Sequence, residues 1–233
     1  KQLVPGFILS VLLLGLFWTM QTGNSLLGPV GVFLASWIIS GAILDLLNRT
    51  GKSRDLSRLF RLPRADWGKA TAHIGLGITM VGIAGLMAWQ EEDIRVAQIG
   101  EPFQVGDFEL ELAAVNQVRG PNYFSTMGDV IVRQDGEQIA FLNPEKRNYP
   151  VAQMPTTEAA IDYRFLRDVY VVIGDQQDDG GWVVRTYVKP LANWIWAGSI
   201  LMALGGILSL SDRRYRVAAG TRQQTSPQGV PAE

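Results

Sequence analysis

The chain has 233 residues, of which 47% are hydrophobic, with 21 basic side chains, 22 acidic ones, a single histidine and no cysteine. Zero cysteine excludes disulfides, thiolate metal centres and thiol catalysis within this chain, and one histidine cannot complete a structural zinc site. The near-neutral total hides a segregation: Gln90 to Lys189 carries 17 acidic and 9 basic residues, a formal −8, against 5 acidic and 12 basic elsewhere, a formal +7.

The chain starts at Lys1 rather than methionine, the expectation for a processed or longer product. Leu3 to Met20 is a nearly unbroken apolar run with Pro5 in its first turn, where a missing N–H is tolerated. It is longer than a signal-peptide core and lacks a small-x-small cleavage site before Asn24, so it reads as a transmembrane span. Leu26 to Leu47 reads as a second span, and residues 1–47 are taken together as two transmembrane helices.

The loop at 48–66 and its edges then turn basic, with Arg49, Lys52, Arg54, Arg58, Arg61, Arg64 and Lys69 against Asp55 and Asp66. A nucleic-acid or anionic-lipid patch is one reading. Topology is the better one, because such loops mark the cytoplasmic side and no nucleic-acid partner is expected. A third span covers 67–89, with no charged residue from Ala70 to Trp89. Wound as a helix, it places Asp66, Ala70, His73, Gly77, Met80 and Ala84 on one face. Gly68, Ala72, Gly75, Thr79 and Gly82 fall opposite, a seam of small residues that admits another helix.

Residues 90–189 are polar and read as β. Phe108 to Leu112 alternates strictly, Val130 to Val132 leads into the type I′ hairpin signal Asp135-Gly136, and the chain returns through Ile139 and Phe141. Val169 to Ile173 suits a central strand, partnered by Trp182 to Val188 through a turn-rich Gly174 to Gly181. About seven strands in an antiparallel barrel or sandwich are expected. A fourth span at 190–211 follows, then a polar, disordered tail at 212–233 opening with Asp212, Arg213 and Arg214. Trp18, Trp67, Trp89, Trp194 and Trp196 belt the predicted span ends. The two basic flanks are separated by two spans, so parity agrees and the acidic segment lies outside. The fold class is thus membrane α-helical, with four transmembrane helices and an inserted all-β antiparallel domain.

Most catalytic motifs fail on inspection. The dinucleotide fingerprint begun by Gly75-x-Gly77 has Met80 at its third glycine and no preceding strand. The calcium-loop likeness of Asp175, Asp179 and Gly180 has Gln177 at a ligand place and Thr186 where a bidentate glutamate belongs. His73 survives, since an ionisable group within a span defaults to a functional hypothesis. One role is a hydrogen bond to a neighbouring helix, to a serine, threonine or carbonyl, or simple packing as a buried neutral imidazole; another is a proton relay. The sharper one is axial ligation of haem iron, with the Gly77 and Ala84 side leaving room for the porphyrin.

The order of a Trp-Gly-x-x-x-x-His-x-Gly span, an external β domain with Tyr149-Pro150, Thr156 to Ile161 and Asp168 to Val171, and a last span ending in Asp212-Arg213-Arg214 resembles the C-terminal part of CcmF. CcmF is the large membrane subunit of the bacterial cytochrome c maturation haem lyase. The resemblance implies an inner-membrane, multi-pass protein with residues 90–189 in the periplasm. It implies a haem lyase that takes haem from a periplasmic haem chaperone and attaches it by thioether bonds to the CxxCH motif of apocytochrome c, beside thiol-handling subunits. It further implies a membrane haem b reduced by quinol, with His73 as one axial iron ligand; Gly77 joins it as a cofactor-binding candidate on the spacing argument alone. The family's Trp-rich external motif, its external haem-binding histidines and the second b-haem ligand are absent, so an upstream part or another subunit is expected to supply them. The rival reading is a cofactor-free, membrane-anchored scaffold with a partner-binding β domain; a transporter fragment is weaker.

Overall fold

The computed structural model describes residues 3–23, 25–50 and 56–212. Lys52 and Arg54 of the basic loop, and the tail beyond Asp212, lie outside the described residues. The chain divides into two compact units.

The first unit is Lys1–Thr19, Pro29–Val81 and Ile195–Glu233. It draws on four helices: α1 (Val4–Met20), α2 (Leu27–Asn48), α3 (Arg64–Trp89) and α4 (Ala192–Leu210), with a 3₁₀ turn at Leu56–Arg61. α2, α3 and α4 are long and apolar enough to cross a membrane. α1 is equally apolar but has 17 residues, a rise of about 25 Å against a hydrocarbon core of about 30 Å. Three helices therefore meet the length of the four expected, and α1 falls just short. Each begins where its sequence permits. Pro5 occupies the first turn of α1. α3 starts after Pro63, and its free Ala65 N–H donates to the carboxylate of Asp212 at 3.1 Å.

The small-residue seam of α3 is its contact with α4. A Cβ on Gly75 would lie 2.6 Å from the Gly198 carbonyl oxygen and from the Met202 nitrogen, and one on Gly205 would lie 2.7 Å from the Gly68 carbonyl oxygen. Backbones this close exclude any side chain, and helices in lipid gain van der Waals contact from such approach. Thr79 Oγ1 donates across the seam to the Ile195 carbonyl at 3.4 Å. α1 meets α2 through Phe7, whose ring stands edge-on to Phe33 and Trp37 at 5.9 and 5.0 Å.

The second unit, Met20–Gly28 and Gly82–Trp194, is the β domain with the short helix ends next to it. Its strands are β1 (Glu91–Ala97), β2 (Pro102–Val105), β3 (Phe108–Arg119), β4 (Phe124–Gln134), β5 (Glu137–Leu142), β6 (Glu145–Tyr149), β7 (Met154–Glu158), β8 (Ala160–Tyr163), β9 (Arg167–Gln176) and β10 (Trp182–Pro190). They form a four-stranded sheet, β1-β10-β9-β8, and a six-stranded one, β2-β3-β4-β6-β7, with β5 also on β4. Every pairing is antiparallel.

Leu110 faces Val132 and Leu112 faces Val130 in register on one sheet. Their side chains join Val169, Val171, Ile173 and Val184 of the other in one buried core. Asp135 and Gly136 take φ of 52° and 81°, the left-handed pair that a type I′ hairpin needs. Ten strands replace the expected seven, because β6 and β7 carry charged and hydroxyl side chains without apolar alternation. Gly174 lies inside β9 rather than in the following turn. There it admits Val183 of β10, 3.1 Å from where its Cβ would be.

Candidate functional site

His73 occupies the third turn of α3, about 14 Å along the axis from Arg64, and its side chain is exposed. Its Nδ1 lies 2.8 Å from the Lys69 carbonyl oxygen, one turn earlier on the same helix. A carbonyl can only accept, so Nδ1 carries the proton in the neutral ring and Nε2 keeps its lone pair. The bond fixes ring and tautomer together, as a backbone carbonyl does behind a metal-ligating imidazole. It also corrects the plainer expectation for this residue, since the acceptor belongs to His73's own helix and not to a neighbour.

The ring borders a recess of about 350 Å³ whose walls include Leu3, Trp37, Ile38, Gly41 and Ala42. Gly41 has nothing within 4 Å of its would-be Cβ, so α2 leaves open space there. The sequence reading assigned that space to Gly77 and Ala84. Gly77 does not line the recess. It is buried against α2, with its would-be Cβ 3.1 Å from the Ala35 carbonyl oxygen and against Ile39. The three-residue and four-residue steps from His73 run along α3, and α2 crosses that line. Ala84 is buried too and is not among the recess residues. The room beside His73 comes from a different helix, which spacing within α3 could not reveal.

One rim of the recess is ionic. Lys69 Nζ pairs with Asp45 Oδ2 at 2.6 Å, and Arg49 reaches Asp45 at 3.4 Å and Asp66 at 2.9 Å. These partly exposed pairs contribute at most about 1 kcal/mol each. Their consequence is local: Asp45, the only acidic residue within α2, is matched by two cations. Among the described residues no group of three or more His, Cys, Asp or Glu side chains converges to hold a metal ion. His73 is thus a single donor facing an apolar recess, which suits a group bringing its own equatorial ligands and not a bare cation.

Within the β domain, Arg147, Tyr149, Glu158 and Asp168, in or beside the resembling stretches, have structural partners. Arg147 Nε pairs with Glu145 at 2.9 Å, reaches Glu158 at 3.6 Å and lies 4.6 Å over the Tyr123 ring. Tyr123 in turn packs on Tyr149 at 5.5 Å. Arg147 holds the Glu145 carboxyl below the usual carboxylate range. Asp168 is buried and accepts from Asn193 Nδ2 at 2.7 Å and from the Arg164 N–H at 3.3 Å. Burial pushes its carboxyl up, against those donors and the nearby Lys189 and Arg167.

Comparison with known proteins agrees with this architecture. The family model described as the CcmF C-terminal beta-sandwich matches residues 88–190. The cytochrome c-type biogenesis protein Ccl1 of Rhodobacter capsulatus is 53% identical over 100% of this chain and 35% of its own length. The corresponding CcmF of Escherichia coli is 36% identical over 98% of this chain and 34% of its own. A solved structure titled Cytochrome c Heme Lyase CcmF superposes with a TM-score of 0.65 at 19% identity, covering 89% of this chain and 35% of that one; at that identity the likeness concerns the fold. The chain spans about a third of the length of the curated relatives it matches. With the sandwich matched by the family model and identity of this size over its full length, the chain belongs to the CcmF family of cytochrome c biogenesis proteins and corresponds to its C-terminal part.

Proposed function

We propose that this chain is the C-terminal portion of a membrane haem lyase for cytochrome c maturation, with His73 an axial ligand to a haem b held in the helical unit. One observation carries the ligand assignment. Nδ1–H of His73 is spent on the Lys69 carbonyl, so the Nε2 lone pair is the free end of an exposed ring beside an apolar recess. The names of the relatives, cytochrome c-type biogenesis proteins, support the wider role.

A haem there would supply one-electron chemistry; the chain's own residues would do the holding. His73 presents a neutral nitrogen, the Lys69 carbonyl fixes its direction, Gly41 and Ala42 leave space for a flat ring, and Trp37 offers an aromatic wall. The Lys69 ammonium, already beside Asp45, has the sign to receive a carboxylate of the macrocycle's edge. A second histidine ligand would have to come from outside this chain, whose only histidine is His73.

In this reading α1 to α4 all cross the bacterial inner membrane, and residues 90–189 stand in the periplasm. That domain faces a haem chaperone, apocytochrome c and its thiol-handling subunits, while quinol is the electron source. The test is reduced-minus-oxidised absorption of the purified assembly. A b-type α-band that His73→Ala removes, with the chain still in the membrane, is expected. An unchanged band in the variant would leave a cofactor-free scaffold as the account of this chain.

A further inference from the structure

We infer that the turn between β8 and β9, residues 164–166, together with Tyr163 at the end of β8, is a membrane-contacting foot of the β domain, its Phe165 and Leu166 side chains seated at the lipid headgroup–acyl boundary. The inference rests on one part of the proposed function, that α4 spans the membrane, and on nothing about haem.

The backbone of the turn is fixed to the start of that helix. The Arg164 carbonyl accepts from Asn193 Nδ2 at 2.8 Å, the Phe165 carbonyl from the Trp194 indole N–H at 3.0 Å, and the Leu166 carbonyl from the Leu191 N–H at 2.8 Å. Three consecutive carbonyls thus turn toward residues 191–194, where the apolar helix Ala192–Leu210 begins. Leu191 takes a φ of 58°, a costly value for a branched side chain and one kept only where the surroundings over-determine it. It packs where Gly85 leaves room, 2.8 Å from that glycine's would-be Cβ. The turn cannot move away from the first turn of α4 without breaking these contacts.

With its carbonyls occupied, the turn presents apolar side chains outward. Phe165 is 72% exposed, Tyr163 65% and Leu166 61%, and the Phe165 ring packs on Trp194 at 5.5 Å. A helix that enters lipid at Ala192 puts residues 191–194 at the interface, and whatever is bonded to them lies at the same depth. Aromatic side chains favour that depth because one end can be wet and the other apolar. The occupant is therefore lipid, of the leaflet where α4 begins, and a protein cover is the alternative outcome.

The cysteine-free chain allows a direct depth measurement by nitroxide labelling. Cysteines at Phe165 and, separately, Leu166 are labelled in the intact assembly, reconstituted in phosphatidylethanolamine–phosphatidylglycerol nanodiscs. Signal from the assembly without an introduced cysteine is subtracted. Collisions with oxygen, which enters lipid, are compared with those of a water-soluble nickel chelate. Val151, 97% exposed in the turn after β6, serves as the aqueous reference, and Ile200, 62% exposed within α4, as the hydrocarbon one. The oxygen-to-nickel ratio at 165 and 166 is expected several-fold above that at 151 and below that at 200. A ratio equal to that at 151 overturns the inference, and so does an immobilised label that neither collider reaches. If the label at 200 also reads as aqueous, the span assignment of α4 fails and takes this inference with it; a hydrocarbon reading at 200 with water at 165 defeats the foot alone.

Discussion

Asp168 carries a carboxyl with burial on one side and donors on the other, and the two can be separated. Replacing it with alanine leaves Asn193 Nδ2 and the Arg164 N–H without their acceptor; a loss of about 1–3 kcal/mol is expected in thermal unfolding of the intact protein. Asp168→Asn keeps an acceptor oxygen and removes the cost of desolvating a charge, so it should melt near the wild type or above it at neutral pH. The sign follows from the raised carboxyl. The folded state favours the protonated form, so this group's contribution is complete below its unfolded pKa and lost as pH rises through its folded one. The variant should flatten that part of the melting profile, and an unchanged profile would show that Asp168 does not cause it. His73 differs in kind, because its one internal hydrogen bond leaves its other nitrogen free.

At the scale of elements, two packings decide whether the molecule holds together. Gly75→Leu places a side chain where the Gly198 carbonyl and Met202 backbone already stand, and should separate α3 from α4, seen as loss of the purified assembly. Gly15→Ala in α1, with nothing within 4 Å and no part in the recess beside His73, should be tolerated in the same preparation. In the sandwich, Leu110 is fully buried, and Leu110→Ala should cost about 2–5 kcal/mol in chemical denaturation. Much of this was legible from residues alone. The glycine seam of α3, the Asp135-Gly136 hairpin and the strands at Phe108, Val130, Val169 and Trp182 follow from period and turn chemistry. β6, β7 and β8 did not, because short polar strands are defined by the partners they pair with and not by alternation. The recess beside His73 was misassigned for a related reason: a helical wheel ranks neighbours within one helix, while Gly41 and Trp37 come from another. Asp212 read as the opening of a polar tail, and its bond to the Ala65 N–H could be found only in three dimensions.

For the whole molecule, the charge segregation and the helix lengths together predict a sidedness that cysteine labelling can read on this thiol-free chain. Val151→Cys should react with a membrane-impermeant maleimide in intact cells, while Phe60→Cys, 91% exposed in the turn before α3, should react only after lysis. The reverse pattern would invert the topology. The sandwich has its own buried core, so a fragment of residues 90–194 should unfold in one cooperative transition.

Imidazole rescue tests most directly the proposal that His73 grips iron and does not merely pack. His73→Gly, purified in its assembly, should lose the b-type α-band, and added imidazole should restore it by replacing the missing ring in the recess. A variant whose spectrum matches the wild type before any imidazole is added would contradict the claim.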